Sequence, residues 1–101
     1  MVSLNMSETP PNETQKSISA WASATFSGQT PGSKIAHLRD ELEELAEKPD
    51  DKEEIADLLI LLLNLMEMAG GDWQEEVNKK MAKNRARTWS APDERGVCHH
   101  I

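Results

Sequence analysis

The sequence predicts an all-α protein, an antiparallel helical bundle completed by oligomerisation. Three observations predict it. Apolar residues recur at three- and four-residue spacing through most of the chain. No segment alternates at period two over a useful length, so no strand is expected. The run Leu58 to Leu63 is apolar on every face, and such a helix must be covered all round. Three neighbouring helices in one small chain rarely achieve that, so a subunit interface is expected.

Residues 1–13, MVSLNMSETPPNE, are rich in Ser, Pro, Asn and Thr and read as a flexible N-terminal arm. The remainder, 14–101, reads as one domain. A first helix is expected over about 14–26, with Ile18, Trp21, Ala22 and Thr25 on one face. Gly28, Pro31 and Gly32 form a break. The second helix is expected over 33–47, where Ile35, Leu38, Leu42 and Leu45 make an amphipathic stripe beside Lys34, His37, Glu41 and Glu44. Pro49 ends it. Asp50 is the expected N-cap of the third helix, with Glu53 completing a capping box. That helix should cover about 51–69, with Glu54, Asp57, Leu61, Asn64 and Met68 on one stripe and Gly70 and Gly71 closing it. Asp72 and Glu75 open a fourth helix expected to reach about residue 88. Trp73, Val77 and Met81 mark its apolar face, and Lys80, Lys83, Asn84 and Arg87 cluster on or beside that face.

At 101 residues, a single-chain core is modest. Lys plus Arg total 11 against 18 Asp plus Glu, a net charge of -7. Duplex binding needs a positive footprint, so no nucleic acid is expected as a general partner. A single nucleotide carried with metal ions remains compatible. The one cysteine, Cys98, reads as a solvated tail residue, and His99 and His100 complete no zinc spacing. Met1 to Gln15 lacks the apolar core of a signal peptide, and Leu58 to Leu63 is too short to span a bilayer. A soluble protein of a reducing compartment, with no membrane partner, is expected.

Glu41-x-x-Glu44 and Glu54-x-x-Asp57 carry the chemistry. Residues three apart share a helix face, so each pair aims two carboxylates at one point. A tight turn at Pro49 and Asp50 folds the two helices back, and four carboxylates converge. They repel one another unless a hard divalent cation neutralises them, and oxygen-only ligands suit Mg²⁺ or Mn²⁺. Either pair alone would read as a solvated face. Asp57, however, interrupts an apolar stretch, where a buried carboxylate costs several kcal/mol unless paired or metal-bound. The segment KKMAKNRAR either complements the helix dipole or clamps phosphate through Lys80, Lys83, Asn84 and Arg87. Trp21 and Phe26 read as core residues before stacking groups. His37 reads as a surface residue before a working group near the metal. Asn64 either hydrogen-bonds within the bundle or faces the site with the second acidic pair.

These residues resemble the all-α nucleoside triphosphate pyrophosphatases, the MazG-like superfamily, whose E-x-x-E, spacer, E-x-x-D signature is matched by Glu41, Glu44, Glu54 and Asp57. The spacer from Leu45 to Glu53 is shorter than in most of that superfamily. The flanks SAWASATFS, HLRDELEELAE, EEIADLLILLL and KMAKNRARTW-x-x-PD-x-x-GV are similar to the phage and bacterial dATP/dGTP diphosphohydrolase family of the MazZ type, from about Ser17 onward. The resemblance implies a dimer or dimer of dimers (a homotetramer), Mg²⁺ or Mn²⁺, and release of pyrophosphate from dGTP or dATP. In a phage it implies work in the host cytoplasm and supply of dGMP for 2-aminoadenine nucleotides. On that reading Glu41, Glu44, Glu54 and Asp57 are catalytic metal ligands. Lys80, Lys83, Asn84 and Arg87 hold phosphates, and Trp21, Phe26, Lys34, His37 and Asn64 border the nucleoside. The competing class is a catalytically inactive helical oligomerisation or interaction module, for which an apolar core and solvated acids suffice.

Overall fold

The computed structural model describes residues 12–101, so most of the arm expected over 1–13 lies outside the described residues. Among the described residues there are four helices: α1 (Gln15–Thr25), α2 (Pro31–Glu47), α3 (Lys52–Met68) and α4 (Trp73–Ala86). No strand is present among them, and the one bridge, Trp89 with His100, is isolated. None of these helices is long and apolar enough to cross a membrane. The chain divides into two compact units, one ending at Gly70 and the other running Gly71–Ile101.

In the first unit α3 is central, with α1 and α2 both packed on it. Threonine starts each flanking helix. Thr14 accepts from the Ser17 amide at 3.0 Å and Thr30 from the Ser33 amide at 3.1 Å, while each serine hydroxyl accepts back from the threonine amide. The second box corrects the expected start of α2. Pro31 and Gly32 are its first turn rather than a break, because proline lacks an N–H that the first turn would leave unpaired. The turn after α2 is held by Lys48 N–H on the Leu45 carbonyl and Asp51 N–H on the Lys48 carbonyl, both at 3.0 Å. This uses Asp50 inside the turn. Asp51, not Asp50, therefore caps α3, accepting from Glu53 N–H at 3.0 Å and Glu54 N–H at 3.3 Å. Gly70 closes the helix with φ 79°, a left-handed value that side chains other than glycine rarely adopt.

The buried side of α1 is also not the expected one. Gln15, Ser19 and Ala22 are buried, whereas Trp21 is 55% exposed. The small side chains of Ser19 and Ala22 pack toward α3, and the Trp21 ring is left largely outside the contact. Along α3 only Leu61 and Asn64 are buried, and Leu59 and Leu62 stay about half exposed.

The second unit pairs α4 with an ordered tail. Asp72 caps α4 by accepting from Glu75 N–H at 3.0 Å. Ser90 N–H donates to the His99 carbonyl at 2.7 Å and Ile101 N–H to Thr88 at 2.8 Å, so residues 98–101 run back along 88–90. Asp93 organises the turn between them. Its carboxylate accepts from the Arg95 and Val97 amides, the Arg95 guanidinium and the His99 ring. These bonds, the Val97 amide foremost, lower its pKa to about 2. Cys98 is a free, exposed thiol on this strand-like segment.

Candidate metal centre and nucleotide cleft

The turn between α2 and α3 brings carboxylates from both helices together. One oxygen each from Glu41, Glu44 and Glu54 lies within 4.8 Å of the others. Asp57 is not part of this group. It sits one helical turn beyond Glu54, is exposed, and lines a neighbouring cleft with Glu41. The burial expected for Asp57 is therefore absent, because α1 and α2 leave that side of α3 open. The costly group is instead on half-buried Glu54, whose Oε2 is buried without a partner. A hydrogen bond with Glu41 foremost, then burial, then the charges of Glu41, Asp57 and Asp51, raise the Glu54 pKa above the ordinary glutamate value. The remaining basic contact is His37 Nε2, 3.3 Å from Glu41 Oε1. Three converging carboxylates, an orphaned oxygen and one weakly basic neighbour fit a hard divalent cation.

Beside the carboxylates opens a cleft of about 140 Å³ lined by Trp21, Phe26, His37, Glu41, Asp57 and Ile60, among others. Its aromatic wall is ordered by edge contacts. Trp21 meets Phe26 edge-to-face with centroids 5.4 Å apart, and Phe26 meets His37 at 6.4 Å. Trp21 and Phe26 thus form a cleft wall rather than core, and His37 belongs to the site rather than to an ordinary helix surface. Lys34 is 2% exposed and lies over the Phe26 ring, 5.4 Å from its centroid. Burial pushes its ammonium below the ordinary lysine range. Lys34 lines neither this cleft nor the next, and its contact is with the back of Phe26.

On the far side of Phe26 a second cleft of about 260 Å³ is lined by Ser23, Phe26, Gly28, Gln29, Asn64 and Met68. Asn64 is 1% exposed. Its Nδ2 donates to Ser19 Oγ at 2.9 Å, and its Oδ1 is buried without a partner. An unmet amide oxygen costs about 1–3 kcal/mol, so the position is held against a stability penalty. Ser19 and Gln29 were not singled out from sequence. The stripe Gln15, Ser19, Ala22, with its four- and three-residue spacing, is the signal that would have marked Ser19.

The expected phosphate group lies in the second unit. Lys80 and Lys83 are exposed, and Asn84 is half-buried with its Oδ1 unpartnered. The Asn84 carbonyl accepts from Trp89 Nε1 at 2.9 Å and from Arg87 N–H at 3.3 Å. Arg87 is the C-cap rather than a helical residue, because α4 ends at Ala86, short of the expected residue 88.

Comparison with known proteins adds three findings. A family model described as dATP/dGTP pyrophosphohydrolase matches residues 14–101. The dATP/dGTP diphosphohydrolase of Cyanophage S-2L is 40% identical over 91 residues, covering 88% of this chain and 86% of that protein. A protein of the same description from Salmonella phage PMBT28 is 40% identical over 90 residues, of which this chain spans only 31% of the length. Among solved structures, the Cyanophage S-2L MazG-like pyrophosphohydrolase bound to dGDP and three catalytic Mn²⁺ ions per active site superposes with a TM-score of 0.76. It is 39% identical, and the match covers 86% of this chain and 87% of that one.

Proposed function

This chain belongs to the dATP/dGTP pyrophosphohydrolase family, and from that premise we propose that it hydrolyses dGTP and dATP to the monophosphate and pyrophosphate using Mn²⁺ or Mg²⁺. The observation that carries the reading is the convergence of Glu41, Glu44 and Glu54 within 4.8 Å, with a buried Glu54 oxygen lacking any partner. We assign these three, with Asp57 as the fourth carboxylate, to the metal. A divalent cation held there offsets the charge of the triphosphate and lowers the pKa of a water molecule.

The chain's own groups account for the rest. Asp57 stands outside the three-oxygen group and keeps a carboxylate oxygen free to accept the proton of the attacking water. Water then adds at the anhydride between the α- and β-phosphates, one P–O bond breaks, and pyrophosphate departs. His37 holds Glu41 at 3.3 Å and, with Trp21 and Phe26, borders the sugar and base. Lys34 braces Phe26 from behind. Lys80, Lys83, Asn84 and Arg87 are assigned to the phosphates. Lys80, Lys83 and Asn84 share a side of α4 and Arg87 caps its end, and three cations so grouped support that role. We take residues 14–101 as the catalytic domain and a dimer or dimer of dimers as its working form. The half-exposed leucines of α3 support oligomerisation. Phage relatives support the host cytoplasm as its compartment, and supply of dGMP toward 2-aminoadenine nucleotides is the use we propose for it from the family resemblance alone.

Incubation with each of the four deoxynucleoside triphosphates plus Mn²⁺, followed by separation of products, tests the reading. Deoxyguanosine and deoxyadenosine monophosphates with equimolar pyrophosphate are expected. Release of inorganic phosphate, or preference for dCTP or dTTP, would refute it.

A further inference from the structure

We propose that Asn64, turned either way by its partner Ser19, reads the group at position 6 of the purine and so admits both adenine and guanine. The inference rests on the purine triphosphate reading above and names the residue that recognises the base.

Four observations lead to it. Asn64 is 1% exposed, yet it lines the cleft behind Phe26. That cleft, about 260 Å³, is smaller than the roughly 300–1,000 Å³ of whole-ligand sites, so it suits one end of a nucleotide. Phe26 lines both this cleft and the one containing Glu41 and Asp57. On the proposal, a nucleotide with its phosphates at the carboxylates extends past Phe26, the residue the two clefts share, toward Asn64. Finally, one end of the Asn64 amide is bonded to Ser19 at 2.9 Å and the other is bare.

Ser19 matters because a hydroxyl both donates and accepts. Its Oγ accepts from Asn64 Nδ2, and its own hydrogen is used in no other bond among the described residues. The two ends of an amide have nearly the same shape. If the Asn64 amide turns over, Ser19 donates to Oδ1 instead, and Nδ2 becomes the bare end. The pair keeps one hydrogen bond in both orientations. In one orientation the end buried beside the cleft is an acceptor, and in the other it is a donor.

Adenine and guanine differ in this respect at position 6: adenine carries an amino donor and guanine a carbonyl acceptor. A site with a fixed donor or acceptor leaves a buried group unpaired with the wrong base, which discriminates by about 10⁴–10⁵-fold where a substrate group is read by hydrogen bonding. A family described by both dATP and dGTP is not built that way. A reversible amide satisfies either base with the same side chain. It still rejects a purine with nothing at that position.

The test compares four substrates: dATP, dGTP, 2′-deoxyinosine triphosphate, and the triphosphate of unsubstituted purine deoxyriboside. Inosine keeps guanine's carbonyl without its 2-amino group, which isolates position 6. In the wild-type protein, kcat/KM for the first three should agree within about tenfold, and the unsubstituted purine should fall at least tenfold below them. Equal turnover of the unsubstituted purine would overturn the proposal without any variant. Asn64→Ala should abolish the difference between substituted and unsubstituted purines. A uniform loss that preserves all ratios would mean a structural role only and would also overturn it. Asn64→Asp, assayed at alkaline pH where the carboxylate only accepts, should shift the ratio toward dATP over deoxyinosine triphosphate by at least tenfold. An unchanged ratio would remove the turning amide. Failure of the wild type to process either dATP or dGTP would instead defeat the reaction assigned above.

Discussion

Glu54 and Asp57 stand one helical turn apart on α3, yet their surroundings separate them. Glu54 lies close to Glu41 and carries an orphaned oxygen, while Asp57 lines the open cleft. The raised Glu54 pKa means that the folded, metal-free protein holds this proton more tightly than the unfolded chain. The resulting stability is present at low pH and is lost as pH rises from the ordinary value of 4.5 through the raised one. The melting temperature of metal-free protein should therefore fall across that window. Mn²⁺ should restore it, and Glu54→Gln should flatten the slope. Circular-dichroism melting between about pH 4 and 8, with Mn²⁺ or EDTA, checks this. Asp57→Ala should abolish turnover while keeping or raising metal-free stability, since it removes carboxylate repulsion; a product assay beside the same melts decides. At this scale the three-oxygen cluster was legible, because helix periodicity fixes which carboxylates share a face. The exposure of Asp57 was not, because burial is set by what the neighbouring helices cover. The Ser19–Asn64 bond joins residues 45 positions apart, and no local pattern announces it.

The helices are delimited by side chains that replace missing backbone partners. Two Thr-x-x-Ser boxes open α1 and α2, and single aspartates open α3 and α4. Thr30→Ala should cost about 1 kcal/mol, the usual worth of an N-cap, and lower the melting temperature by roughly 4–8 °C for a domain of this size. The Pro-Gly pair after Thr30 concealed this cap from the sequence, since the same dipeptide breaks a helix interior and suits a first turn. The C-terminal hairpin carries its own pH dependence. Asp93 is held at about 2, below the ordinary 3.8, so its support is complete above 3.8 and is lost as pH falls toward 2. Fluorescence of Trp89, whose ring meets His100 at 6.1 Å, should change across that interval. In α4, Lys83→Ala should weaken binding of a non-hydrolysable triphosphate by about tenfold, or 1.4 kcal/mol, and barely alter deoxynucleoside binding. Calorimetry with both ligands separates a phosphate contact from a general loss of fold.

Taken whole, the protomer leaves much of its apolar surface in water. Leu42 is 57% and Leu59 55% exposed, and Ile35, Ile55 and Leu62 follow. An open apolar depression of about 430 Å³ adds Ile18, Trp21 and Ile60. Patches of this kind on a small chain mark an interface. Light scattering at micromolar concentration should return a dimer or tetramer. Leu59→Glu, which puts a charge on that surface, should yield a monomer that stays helical by circular dichroism and loses activity. The all-round apolar run Leu58 to Leu63 made the apolar surface left open on α3 legible in the sequence. Which part of that surface would be covered was not, since the run from Leu58 to Leu63 is apolar all round.

The exposed thiol of Cys98 gives the chain a stoichiometric reporter. With one cysteine in 101 residues, maleimide chemistry attaches one dye per polypeptide. The dye sits on a backbone segment tethered to residues 88–90, away from the carboxylates and the cleft residues in the sequence. Donor- and acceptor-labelled pools can then be mixed, and growth of energy transfer with time reports whether copies of the chain associate and how fast they exchange. Nucleotide and Mn²⁺ can be added to the same cuvette to learn whether a filled catalytic centre locks the assembly.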